Sequence, residues 1–267
     1  MEHIKLYPKI HIYKNVFKDV NAFLEKALKE TTWEGWYTFG EMLPLQEMKL
    51  SFDHFPTKEE YISARGWQPS EQAELTEEVG NIFYDVTKDW LDTYPDEHLP
   101  NYVKGSASVN KYKWEQDAGV SEHYSMNYHS DYVIADAEKP GDKFGITTTF
   151  YLNDNYEDGE ICFRIDDKFL SYKPEAGDVI VFPSANPYQH AVRKATGAER
   201  FMIRSFWQYY YPGSDSWHEN VAKFGQETWE AMDFERFKNE VWAHQTSAED
   251  LHEFFGKDNG VKIWKTE

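Results

Sequence analysis

Residues 144–182 read FGITTTFYLNDNYEDGEICFRIDDKFLSYKPEAGDVIVF. Four strand-sized runs stand out: Phe144–Asn153, Glu160–Ile165, Phe169–Lys173 and Asp178–Phe182. They are rich in β-branched and aromatic residues, and turn formers separate them: Asp158-Gly159, Asp166-Asp167 and Glu175-Ala176-Gly177. The same texture extends outward from about Lys104 to Tyr211. It adds Gly105–Trp114, Gln189–Arg193 and Phe201–Tyr211, with further breaks at Gly141 and Gly197. Many short strands with regular turns predict a sandwich or barrel, jelly rolls included.

Outside this region the apolar period changes. Val16, Phe17, Val20, Phe23, Leu24 and Leu28 fall at helical spacing, which predicts a helix from about Val16 to Glu30. A second stripe of Leu75, Val79, Ile82, Phe83, Val86, Trp90 and Leu91 predicts a helix from about Pro69 to Tyr94, with Ser70 as N-cap and Pro95 as its stop. Phe224, Trp229, Phe234, Phe237, Val241 and Trp242 predict a third from about Asn220 to His244, and a short last helix follows Ser247. The expectation is one α+β domain over residues 1–267. It has a β core at about 103–211 and helical elaborations at about 14–95 and 217–258, packed over one face of a sheet.

Aromatic residues make up 17% of the chain, enough for a substantial core. Forty-seven acidic residues face 28 basic ones, for a formal net charge of −19. No basic run is present, which argues against nucleic acid and against anionic membranes as partners. The single cysteine, Cys162, has no internal disulfide partner and reads as a small buried hydrophobe. Residues Met1 to Tyr13 lack the apolar core of a signal peptide, and no run of apolar residues is long enough to span a membrane, so a cytoplasmic location is expected.

His129-Ser130-Asp131 is the sharpest local feature. In a strand, residues i and i+2 point to one face, so both side chains can reach one metal ion. By itself the pair is a weak signal. His190 lies 59 residues after Asp131, at the start of a strand-like run, with several strand-sized segments between. Two histidines and one carboxylate make a facial triad that leaves adjacent positions open, the donor set of non-haem iron(II) oxygenases. Of the other histidines, only His123 lies close, and it reads as an ordinary surface or hydrogen-bonded residue. Arg200 comes ten residues after His190, and Arg204 shares its strand face. A planar guanidinium suits the free carboxylate of a dicarboxylate. Either arginine can serve, with Arg200 preferred.

These pieces together resemble the catalytic core of the prolyl 4-hydroxylase-like branch of the iron(II)/2-oxoglutarate oxygenases. The resemblance runs from His129 to Trp207 in the family's order: His129-Ser130-Asp131; Thr149-Phe150-Tyr151-Leu152-Asn153; Asp158-Gly159-Glu160-Ile161-Cys162-Phe163; Pro174-Glu175-Ala176-Gly177-Asp178 with Val181-Phe182; His190-Ala191-Val192; and Gly197-Ala198-Glu199-Arg200 followed by Phe206-Trp207. Asp158 departs from the usual Gly. The cation is Arg where collagen-type prolyl hydroxylases have Lys, which points to the wider superfamily.

The resemblance implies a double-stranded β-helix (a jelly-roll, cupin-like core), iron(II) on His129, Asp131 and His190, and 2-oxoglutarate as cofactor. It implies O2 as co-substrate, with ascorbate an option, and Arg200 as partner of the distal 2-oxoglutarate carboxylate. Tyr112, Tyr124, Tyr128 and Tyr151 are the candidates for an assisting tyrosine, and Thr149 for an assisting hydroxyl. The implied reaction is hydroxylation of an unactivated C–H bond. A prolyl residue in a peptide, a free amino acid and a small metabolite are all open as substrate. The acids Glu122, Asp136, Glu138 and Asp142 flank the His-x-Asp pair in loop-like stretches and would favour a basic substrate. Two other readings compete: a cupin-like metalloenzyme of another reaction class, and a jelly-roll binding module without catalysis. The arginine after the distal histidine speaks against both.

Overall fold

The computed structural model describes residues 2–29, 33–38, 41–49, 63, 69–95, 102–104, 108–112, 123–131, 143–209 and 215–231. In chain order the elements begin with β1 (His3–Tyr7), β2 (Ile10–Tyr13), α1 (Val20–Lys29), β3 (Glu34–Thr38), β4 (Glu41–Lys49) and α2 (Pro69–Thr93). Then come β5 (Tyr102–Lys104), β6 (Ser108–Tyr112), β7 (Tyr124–His129), β8 (Lys143–Tyr151), β9 (Glu157–Asp158), β10 (Ile161–Ile165) and β11 (Lys168–Tyr172). The last are β12 (Val179–Pro183), β13 (Gln189–Arg193), β14 (Ala195–Thr196), β15 (Arg200–Tyr209), α3 (Asp215–Phe224) and α4 (Gln226–Glu230).

Every residue of β12 is buried. A strand that is apolar at consecutive positions must be covered on both faces. Strand parity sends Val179 and Val181 one way, where they join Tyr13, Ile146, Phe150, Phe201 and Ile203 beneath Phe23 of α1 and Phe83, Val86 and Trp90 of α2. Ile180 and Phe182 go the other way and meet Ile12, Tyr151, Ile161, Phe163, Val192 and Met202. The first cluster joins helices to a sheet; the second lies between two sheets. The larger sheet runs β1-β2-β12-β8-β15-β6-β4-β3, with β5 also paired to β15, and the smaller runs β11-β10-β13-β7. All their pairings are antiparallel. This is the double-stranded β-helix core expected from the sequence.

The turns hold its registers. Asp166 and Asp167 both have positive φ (45° and 61°) between Ile165 and its partner Lys168, as a two-residue hairpin of the primed type requires. Gly177 has φ +87°, and a Cβ there would lie 2.8 Å from the Phe17 carbonyl oxygen. That close approach serves a purpose: the Gly177 carbonyl accepts from Val16 N and Phe17 N, at 2.9 and 3.2 Å, and so pins the entry to α1 onto the β core.

Several expectations are corrected. The first helix begins at Val20, because Val16 and Phe17 spend their amides on Gly177. The second begins at Pro69, so Ser70 lies in its first turn and not at its cap. The third begins at Asp215 and breaks at Gly225 (φ +83°) into α3 and α4, and its expected stretch over 232–244 lies outside the described residues. The helix after Ser247 lies outside the described residues. The stretch read as helical elaboration at 14–95 also carries the hairpin β3–β4, which extends the larger sheet, and the N-terminal residues form the hairpin β1–β2. The loop-like stretch before the His-x-Asp pair is strand from Tyr124 onward. Cys162 is buried as expected, and burial pushes its thiol pKa up. Among the described residues no helix is long and apolar enough to cross a membrane.

Candidate metal centre

His129 ends β7 and His190 lies in β13, and the two face one another directly in the register of that antiparallel pair. Their ring centroids are 4.3 Å apart. Asp131 is not on the strand. It sits in the bend that follows β7, so the i, i+2 strand argument for the His-x-Asp pair does not hold; the bend brings the carboxylate round. His129 Nε2 lies 3.6 Å from Asp131 Oδ1, and His190 Nε2 lies 3.6 Å from Asp131 Oδ2. The three residues each offer a ligand atom within 4.8 Å of the others, and they are the one such group among the described residues.

Neighbouring groups orient all three. His129 Nδ1 lies 2.8 Å from the Asn127 carbonyl oxygen. A carbonyl only accepts, so the proton of a neutral ring belongs on Nδ1 and Nε2 keeps its lone pair. Asp131 accepts from the Thr147 hydroxyl at 2.6 Å, and Thr147 is bonded to Ser184 at 2.8 Å. The rings of Phe182 and Phe163 pack on His190, at 4.8 and 6.3 Å between centroids. Ser130 donates to Asn186 Oδ1 at 2.9 Å, tying the bend to the loop before β13.

Electrostatics separate the three groups. Burial pushes the Asp131 carboxyl up, but His190, His129 and the Thr147 hydroxyl outweigh it and hold it well below the usual carboxylate range. Burial drives His190 down to about 4, against the pull of Asp131. For His129 burial is outweighed by the hydrogen bond and charge of Asp131, so its pKa is raised. An ionised carboxylate and imidazole nitrogens turned toward it are the ligand forms a cation requires. The donor set, two His and one Asp with hydrogen-bonded supports behind them, therefore fits a divalent first-row metal that keeps positions open for other ligands.

The triad borders a narrow cavity lined also by Tyr112, Thr147, Thr149, Tyr151, Phe182, Met202 and Arg204. Of the two arginines on the inward face of β15, Arg204 lines the cavity. Arg200 is fully buried and packs over Tyr112 and Tyr151, with Cζ 4.2 and 5.8 Å from their ring centroids, and it donates to the Gly159 carbonyl at 2.9 Å. Burial pushes the Tyr151 hydroxyl up to about 12, against the pull of Arg200, so it stays a donor.

Four of the sequence candidates for co-substrate contacts are thus brought together: Tyr112, Thr149 and Tyr151 in the cavity wall, with Arg200 stacked on both tyrosines. Tyr128 faces elsewhere, against Phe169 and Arg164, and Tyr124 and His123 line a separate groove with Asp158, Arg193, Lys194 and Thr196. Sequence reasoning missed Thr147 and Ser184. Strand parity with Thr149 and Tyr151 would have found Thr147; nothing local marks Ser184.

Residues 108–208 match the model of the 2OG-Fe(II) oxygenase superfamily. No curated protein sequence matches the chain. Among solved structures it is similar to a prolyl hydroxylase from Trichoplax adhaerens in complex with a hypoxia inducible factor oxygen degradation domain peptide fragment. That match has 13% identity over 74% of this chain and 83% of that one, with TM-score 0.50. It is also similar to a Pseudomonas putida prolyl-4-hydroxylase (13% identity, 76% and 94% covered, TM-score 0.49) and to the viral collagen prolyl hydroxylase of Paramecium Bursaria Chlorella virus-1 in its 2OG complex (16%, 75% and 96%, 0.46). Residues 108–208 thus carry a 2OG-Fe(II) oxygenase domain. The chain is an iron(II)- and 2-oxoglutarate-dependent dioxygenase with the double-stranded β-helix fold.

Proposed function

We propose that this dioxygenase hydroxylates an unactivated C–H bond of a prolyl residue in a peptide, or of a free amino acid, using His129, Asp131 and His190 as metal ligands. The observation that carries this reading is the convergence of those three ligands on one end of a cavity with a guanidinium in its wall. Bound together, iron(II) and 2-oxoglutarate supply the oxidising power to activate O2 and replace a C–H hydrogen by hydroxyl.

The chain's own residues do the rest. Asn127 fixes the ring of His129, and Thr147 fixes the carboxylate of Asp131. Tyr151 and Arg200, with Thr149 beside them, form the seat for the far carboxylate of the keto acid: Tyr151 donates one hydrogen bond, and Arg200 supplies the charge behind it. The apolar wall of Phe182, Met202 and Ile161 keeps water from the reacting centre. The likeness in fold to a prolyl hydroxylase held with a peptide supports a prolyl peptide as the first class to try. The charge of −19 supports a small-molecule or peptide partner over nucleic acid or an anionic membrane, and a cytoplasmic protein of one domain fits the whole reading.

The test is succinate formation from 2-oxoglutarate, with prolyl peptides and free amino acids added in turn. Stimulation by one class, with matching hydroxylated product, identifies the substrate. Equal turnover by Asp131→Ala would remove the triad assignment.

A further inference from the structure

Arg200 and Arg204 lie on the same inward face of β15, four residues apart, and the inward residue between them is Met202. Their surroundings differ. Arg204 pairs across the sheet with Thr149, one inward step from Thr147, and Thr147 is hydrogen-bonded to the metal-ligand carboxylate of Asp131. The same register puts Met202 opposite Tyr151, so Arg200 lies farther along the strand, beyond Tyr151 and level with Tyr112. At about 3.4 Å per residue, roughly 13 Å of strand separates the two arginine Cα atoms. Arg200 thus lies behind the cavity wall, stacked on Tyr112 and Tyr151. Arg204 lines the cavity itself, together with His129, Asp131 and His190. A cation so near a metal centre is costly unless an anion is bound there too.

From this placement we propose that Arg204 binds the metal-chelating carboxylate of the keto acid, so that the two arginines of β15 grip opposite ends of one dicarboxylate. The proposal rests on the co-substrate reading above and adds a second anion contact to it. Tyr151 and Arg200 recognise the far carboxylate and set the length of keto acid accepted. Arg204 recognises the α-keto carboxylate, a group that every α-keto acid carries. It offsets the negative charge that accumulates when a dianion joins Asp131 at one metal, and its planar fork fixes the plane of that carboxylate. Packing of its Cζ 5.1 Å from the Phe206 ring holds the guanidinium in place.

The test compares two ligands on anaerobic, iron(II)-loaded protein, read by the visible charge-transfer band of a chelated keto acid. Pyruvate carries the chelating end alone; 2-oxoglutarate carries both ends. Arg204→Met is expected to weaken both ligands by about tenfold or more, the loss of a charge-assisted hydrogen bond. Arg200→Met is expected to weaken 2-oxoglutarate by a similar factor and leave pyruvate unchanged. Thermal melting checks that each variant is folded, and Arg204→Gln carries the same comparison if the Met variant is not. Pyruvate binding unchanged in a folded Arg204 variant overturns the proposal, and 2-oxoglutarate weakened at the same time would make Arg204 the partner of the far carboxylate. A wild-type protein that gives no band with either ligand removes the co-substrate reading itself, a failure separate from that of Arg204.

Discussion

The two apolar clusters of this molecule share the strands β2, β8, β12 and β15, yet they are built differently. The outer one, under α1 and α2, takes Phe17, Phe23, Phe83, Trp90, Phe150, Phe201 and Ile203. The inner one takes Ile12, Ile180, Phe182 and Met202, and polar residues stand among its strands at the same parity: Thr147, Thr149, Arg200 and Arg204. The outer cluster is devoted to burial, and its cost on truncation is stability. The inner cluster is a core opened on one side by hydroxyls, guanidinia and the triad, so its residues trade some burial for ligand contacts. One strand, read on alternate residues, serves both: Phe201 and Ile203 outward, Met202 and Arg204 inward.

That division can be broken by substitution. The largest effect belongs to Asp131→Ala, which should abolish turnover and metal binding and lower the melting temperature of the metal-free protein, because His129, His190 and Thr147 lose the carboxylate they hold ionised. Metal content after anaerobic loading, with a melting curve, checks both halves. Next is Phe83→Ala, whose ring packs 4.2 Å from that of Phe150. It should cost about 3–5 kcal/mol in denaturant unfolding and leave metal affinity in the surviving folded protein unchanged. Thr147→Val removes the hydroxyl that holds Asp131; metal affinity should fall about 10- to 100-fold, measured by competition with a chelator.

The smallest effect is one of pH and lies far from the metal. His11 is fully buried against Tyr94, 2.8 Å from its hydroxyl, with His3 stacked on it and Lys5 and Asp89 nearby. Burial, with help from His3 and Lys5, drives its pKa down to about 4 against the pull of Asp89. Below pH 6.5 the unfolded chain therefore binds a proton that the folded chain refuses. Stability is lost as pH falls from about 6.5 toward 4, by roughly 1–3 kcal/mol. His11→Phe should flatten that part of the urea-unfolding profile; an unchanged slope would mean that His11 is protonated in the fold.

What the sequence made legible follows the same division. The two-sided strand Val179–Pro183 is apolar throughout, and Asp-Gly and Asp-Asp turns bracket Ile161–Ile165, so the β core could be read almost strand by strand. β7 could not, because Tyr124-Ser125-Met126-Asn127-Tyr128-His129 is an edge strand of mixed polarity with shifted register. The hairpin β3–β4 was hidden by Pro44, which argues against a strand; Pro44 falls between paired positions, opposite the irregularity at Gly35 and Tyr37. The triad was legible as residues but for a partly wrong local reason, since Asp131 reaches the site from a bend. Parity put Arg200 and Arg204 on one face without separating them. Depth along β15 separated them, and only the folded sheet contains that information.

The most direct test of the central claim is manganese(II) binding, followed by electron paramagnetic resonance with 2-oxoglutarate added afterward. The account predicts a tight site in the wild-type protein, a spectrum that changes when 2-oxoglutarate is added, and loss of both in His190→Ala. A tight site that survives in folded His190→Ala, with the same response to 2-oxoglutarate, would contradict it.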